Sequence, residues 1–366
     1  MSSGVQSMGF TLMGESCSVR TKQRHVMILN GTFMCCFAVY TAHAYLVFGL
    51  DFSYGLGFIE FKPWRLLILT LAMGLGLSAI FIQFFFESPK YLVNVGKISE
   101  AVKILGKIKK RNGGTGIYPV KKIILLDESP THRNKVPFLR SLWDQIAPLF
   151  RPPLIQKTLL LFYILAVLFS VNNGFYFWIP ILFSTFFDES ASASNNVTES
   201  FCNLINTQSH EKSNDCTSVV SLETLLMSII QSVVFFTLNY VAAWCAHKKK
   251  TAIISLCVLT SVCCIAMIFV TEKITTIVFF FGAQLNCATV GMTFCFIIEL
   301  FPTRYRGMIT SLGVMVARGS ALVAVNLMGA FMFTHCAASL YGWAAYTFSG
   351  ALMALLLPPD ISKKSG

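Results

Sequence analysis

Eight apolar runs, each about as long as a membrane-crossing helix, constrain this chain more than any other feature. They cover residues 26–49, 66–86, 158–187, 221–246, 251–270, 275–298, 308–334 and 339–357, and are called spans a to h. A helix needs about 20 mostly apolar residues to cross the hydrocarbon core of a bilayer. Backbone N–H and C=O groups in lipid must pair within the protein, so such runs are predicted to be helices. The expected fold class is an all-α membrane protein with about eight transmembrane helices. Charged residues make up 13% of the 366, against about a quarter in soluble domains.

The net charge of +12 would suit a nucleic-acid partner, but the placement of the charges argues against one. Alternating the loops across the membrane puts 1–25, 87–157, 247–250, 299–307 and 358–366 on one side. That side carries 24 of the 29 Lys and Arg and eight acids. The other side, with loops 50–65, 188–223, 271–274 and 335–338, carries four basic residues and nine acids. Basic loops mark the cytoplasm, so both termini are expected there, in a plasma or vesicle membrane. Residues 1–25 lack a basic stretch followed by an apolar one, so no cleavable leader is expected.

The loop 188–220 then faces a lumen or the outside. It contains Asn196-Val197-Thr198, a glycosylation acceptor that works only on that side. Asn30-Gly31-Thr32 has the same pattern but falls inside span a. Cys202 and Cys216 also lie in the loop and would pair in a disulfide if it faces an oxidising compartment. Eight further cysteines fall inside apolar runs, where cysteine acts as a small hydrophobe. On the basic side, Ala101, Ile104, Leu105 and Ile108 recur at helical spacing among Lys103, Lys107, Lys109 and Lys110. This predicts a short surface helix that ends at Asn112-Gly113-Gly114.

Polar residues inside spans are costly and mark function more often than ordinary positions do. Arg318 falls near the middle of span g, and no acid occupies any span core. Asn172, Asn173 and Gly174, with Tyr176 and Trp178 one turn on and Pro180 beyond, predict a locally broken span c facing a cavity. Gln284 and Asn286 in span f join the candidate solute-binding set as weaker members. Asn239, Asn326 and His43 are weaker candidates. There is no Walker motif, nucleophile elbow or metal-ligand cluster in the sequence. Neither an enzyme nor a cofactor is expected.

Several motifs carry a resemblance. Glu299-Leu300-Phe301-Pro302-Thr303-Arg304-Tyr305-Arg306-Gly307 and, weakly, Glu15 to Arg24 share an acid, an Arg five residues on and another basic residue two later. Transporters show such repeats between their halves. The first of these resembles the signature after the tenth helix of sugar-porter-like major facilitator proteins. Glu87-Ser88-Pro89-Lys90-Tyr91-Leu92 resembles the motif that ends their sixth helix. Trp143, Leu149-Phe150, Gly174 and Trp178-Ile179-Pro180 are most similar to the synaptic vesicle glycoprotein 2 family and its insect relatives.

The resemblance implies that spans a to h correspond to family helices 5 to 12, with helices 1 to 4 lacking a counterpart. Residues 1–86 would be a two-helix remnant of the N-terminal bundle and 87–157 a cytoplasmic loop. Residues 158–357 would be the six-helix C-terminal bundle and 358–366 a tail. Glu87, Glu299, Arg304 and Arg306 would form an inner gate, with Lys90 in place of the usual Arg. The implied function is alternating-access transport of a small organic solute. A non-transporting, partner-binding protein of the same fold, or a piece of a longer transporter, is the alternative. The implied partners are that solute and the lipid bilayer.

Overall fold

The structure is a computed structural model. It describes residues 2–17, 21–55, 57, 60–116, 120, 123, 137–187, 201–202, 222–244, 248–332 and 334–359. The helices are α1 (Ser2–Ser16), α2 (Lys22–Phe48), α3 (Pro63–Ile82), α4 (Pro89–Asn94), α5 (Ile98–Arg111), α6 (Phe138–Ile146) and α7 (Ile155–Phe187). They continue with α8 (Leu222–Trp244), α9 (Lys249–Phe269), α10 (Lys273–Gln284), α11 (Cys287–Leu300), α12 (Thr303–Met332) and α13 (Cys336–Ala354). A short antiparallel hairpin, β1 (Tyr54–Gly55) with β2 (Glu60–Phe61), joins α2 to α3 and pairs Tyr54 with Phe61. The all-α membrane architecture read from the sequence is the one observed.

Among the described residues, seven helical segments are long and apolar enough to cross a membrane, with α10 and α11 counted as one. The last predicted span, α13, has 19 residues and is not among the seven. It nevertheless packs along α9, and both ends are fixed. Lys250, in the first turn of α9, donates to the carbonyls of Leu355 and Leu357 at 2.8 and 2.5 Å. A cation there meets the unpaired carbonyls and the negative end of the helix. In mid-helix, Ser261 Oγ donates to Ala344 O at 3.0 Å.

The buried core has two parts. One, towards the basic side, gathers Phe10, Met27, Leu161, Leu165, Phe294 and Ile297. The other, towards the opposite side, gathers Val171, Phe175, Cys264, Met267, Met328 and Trp343. The two longest helices, α7 and α12, run through both. Their close approach relies on small residues: a Cβ on Gly313 would meet Leu165 at 2.9 Å, and one on Gly329 would meet the Trp178 ring at 2.5 Å. Membrane helices commonly pack through small residues because lipid supplies no hydrophobic drive between them.

The structure departs from the sequence reading in several places. Residues 1–25 contain a helix outside the predicted spans: α1 packs on the bundle, with Phe10 fully buried and stacked on Phe294 at 4.3 Å. It precedes α2 and α3, the two helices of this portion long and apolar enough to cross a membrane. Span c is not broken: α7 runs unbroken from Ile155 to Phe187 through Asn172-Asn173-Gly174 and Pro180. Span f is the broken one, with α10 ending at Gln284 and α11 starting at Cys287. Finally, part of the apolar side of α5 is covered by the protein itself. Ala101 and Ile104 pack on Leu92 and Val93 of α4. The helix does end as predicted, with Asn112 as C-cap and Gly113 at φ +79°.

Candidate functional site

The break between α10 and α11 builds the most polar buried spot in the membrane-spanning part. Leu285 and Asn286 form a turn, and the side chains of Gln284 and Asn286 that flank and occupy it are both buried. Gln231 of α8 donates from Nε2 to Gln284 Oε1. Asn286 Oδ1 accepts from Thr289 Oγ1 at 2.9 Å and from Cys257 Sγ at 3.6 Å. Gln231 Oε1, Gln284 Nε2, Asn286 Nδ2 and Thr260 Oγ1 are buried and make no hydrogen bond among the described residues. Leaving a buried polar group unpaired costs about 1–3 kcal/mol. A group of such atoms can be matched by a polar solute or by water.

The candidates on α7 and α12 divide by what they already hold. Both amide atoms of Asn172 are buried without a partner. Asn173 donates to Phe169 O of its own helix at 2.8 Å. Trp178 donates from Nε1 to Val325 O at 3.3 Å and covers Gly329, so it joins α7 to α12. The Tyr176 ring lies 5.6 Å from Phe37 of α2. Arg318 extends over the Phe169 ring at 5.6 Å, a cation–π contact. Asn326 donates to Leu322 O of its own helix at 2.8 Å, and His43 meets Thr70 Oγ1 at 2.6 Å between α2 and α3.

The sequence set thus contains Gln284, Asn286 and Asn172 but misses Gln231 and Thr260. Polarity inside spans d and e was the available signal. It is weak, because single Gln and Thr residues are frequent in helices. Asn239, counted as weak, has a structural partner: Asn30 Nδ2 donates to its Oδ1 at 2.7 Å and lies 3.3 Å from Cys287 O. A Cβ on Gly31 would come 3.1 Å from Asn239 Cβ. This pair seats α2 against α8 and α11.

A polar cluster forms on the basic side, around Glu299 at the end of α11. Lys249 Nζ meets Glu299 Oε2 at 2.5 Å, and Gln23 Nε2 donates to Oε1 at 2.5 Å. Lys249 is only 3% exposed, while Glu299 is 25% exposed; the ammonium also sits 4.7 Å above the Phe296 ring. Lys22 interacts electrostatically with Glu299, Arg306 and Lys90. Arg24 stacks over Trp244 at 3.7 Å. The starts of α2 and α9 and the ends of α8 and α11 therefore converge here. Arg306 Nε donates to Phe301 O at 2.9 Å and caps the turn after α11. Glu87 is exposed and lines a groove of about 300 Å³ with Tyr91, Leu92, Val95, Lys97, Glu100 and Ile104. The Arg304 side chain lies outside the described residues.

The predicted disulfide partner of Cys202 is corrected. Cys202 is bonded to Cys336, at the first position of α13, with their Cα atoms 5.5 Å apart. Phe201 is buried in the core beside Leu340, which brings Cys202 over the end of α13. Cys216 and Asn196 lie outside the described residues.

Comparisons with known proteins agree with this architecture. The Major Facilitator Superfamily family profile matches residues 1–325. A solved structure of the major facilitator superfamily proton:xylose symporter XylE, bound to 6-bromo-6-deoxy-D-glucose, resembles the chain with a TM-score of 0.57 at 14% identity. The match covers 97% of this chain and 68% of that one. At that identity the likeness speaks for the fold. No curated protein matches the sequence. With the profile covering most of its length, this multi-pass membrane protein belongs to the Major Facilitator Superfamily, a family of transporters and not of enzymes.

Proposed function

We propose that the chain is a secondary transporter that moves a small, uncharged, polar organic solute by alternating access. The observation that carries this reading is the group of buried amides at the α10–α11 break. Gln231, Gln284 and Asn286 offer both donors and an acceptor without a net charge. Hydroxyl groups, which also donate and accept, match such a set. The symporter that shares the fold holds a deoxyglucose derivative, a ligand of that kind. Asn172 would complete the site when the helices part. Broken helices near mid-membrane are a recurrent setting for transporter sites.

In this reading the basic side is cytoplasmic, the gate at Glu299 is closed there, and Asn196 carries the glycan on the other side. The resemblance to the synaptic vesicle glycoprotein 2 family is the finer placement we favour.

The test is thermal stabilisation of the purified chain by a panel of sugars, polyols, organic cations and organic anions. A ligand at 100 times its Kd adds about 2.7 kcal/mol of stability. A neutral hydroxylated solute should raise the Tm of the parent and fail to do so in Gln284→Leu. Stabilisation by charged solutes alone, or one that survives Gln284→Leu, would count against this site.

A further inference from the structure

The end of α3 indicates where the basic face of α5 stands relative to a bilayer. Helix α3 has 20 residues, which at 1.5 Å per residue gives about 30 Å, the thickness of the hydrocarbon core. Its end at Ile82 therefore lies near the edge of that core. Phe84 and Phe85 follow, 69% and 71% exposed, as residues resting among acyl chains and headgroups would be. The Arg111 guanidinium stands 5.8 Å above the ring of the next residue, Phe86. The last turn of α5 is thus folded back onto the segment that leaves the membrane.

Lys103, Lys107, Lys110 and Arg111 are all exposed, and spacings of three and four put them on one face. Lys109 adds a fifth basic residue to the helix. The helix has one acid, Glu100, and that is paired with Lys97 at 3.4 Å. The helix dipole explains cations in the last turn, but not Lys103 and Lys107 further back. Packing does not explain them either, since Lys103 and Lys107 are exposed while Ala101 is the residue of α5 buried against α4.

We propose that this face binds the phosphate-bearing headgroups of anionic lipids in the adjoining leaflet. Two observations favour lipid over an acidic protein: the depth set by α3, and the contact between Arg111 and Phe86. Clustered cations beside a spanning helix gain from each headgroup they approach. The site is independent of the buried amides, so it stands whether or not the chain transports a solute.

Native mass spectrometry of the purified full chain tests this, with phosphatidylserine, phosphatidylcholine and free inorganic phosphate as probes. Phosphatidylserine should be retained well above phosphatidylcholine, less so as salt rises. Replacing Lys103, Lys107, Lys110 and Arg111 by Gln should weaken retention about fivefold per charge removed. Exchanging the three lysines for Arg should preserve it, which separates loss of charge from loss of fold. Equal retention of the two lipids, full retention in the Gln variant, or displacement of the lipid by millimolar free phosphate would overturn the proposal.

Discussion

Lys249 is the one charged residue that is buried among the described residues, and its position gives the cluster around Glu299 an uneven energetics. Its carboxylate partner, Glu299, keeps a quarter of its side chain exposed and has a second donor in Gln23. Removing one partner of a buried ion pair strands the other. Glu299→Ala leaves an ammonium in the interior, whereas Lys249→Met leaves a carboxylate that water can reach. Glu299→Ala should therefore cost about 3 kcal/mol, towards the low end for buried pairs, and Lys249→Met clearly less. Thermal unfolding of both variants checks the order. Equal losses would mean that the two charges are equally solvated.

Between α7 and α12, the contact depends on which glycine carries the approach. A Cβ on Gly329 would stand 2.5 Å from the rigid Trp178 ring, while one on Gly319 would meet nothing within 4 Å. Gly329→Ala should destabilise by about 1–3 kcal/mol and Gly319→Ala by no more than about 0.5 kcal/mol, read as a difference in Tm. At the far end of α13, peptide mapping without reductant should find Cys202 joined to Cys336. That bond should persist in Cys216→Ser and vanish in Cys336→Ser. The sequence contained the needed hint, since the loop 335–338 falls on the same side as Cys202. Cys336 was overlooked because it borders an apolar run.

Elsewhere the apolar runs located every spanning helix to within a few residues, because lipid makes run length itself the signal. The helix break was misplaced for a physical reason. Asn173 bonds back to Phe169 and Gly174 packs near Met328 and Trp343, so neighbours hold α7 together despite its weak propensities. The turn at Leu285-Asn286 has no Gly or Pro to announce it. Helix α1 was hidden by Ser, Gly and Gln among its apolar residues.

Across the whole molecule, the contacts divide by side. On the basic side, Gln23, Arg24 and Lys22 of α2 meet Glu299 and Trp244 through polar and cation–π contacts. On the other side, the Cys202–Cys336 bond joins parts of the 155–354 body to each other and does not tie α2 or α3 to it. Helix α3 buries none of its residues. The bond therefore stiffens one bundle, and α2 can move against it only when the polar contacts on the basic side and its packing at Asn30–Asn239 both give way. Such motion would expose the amides at the α10–α11 break, which are enclosed here. The direct measurement is uptake of neutral polyhydroxylated solutes into proteoliposomes carrying the chain. We predict saturable uptake of at least one such solute above that of empty vesicles, lost in Gln284→Leu. Uptake no greater than in empty vesicles across the panel would contradict the account.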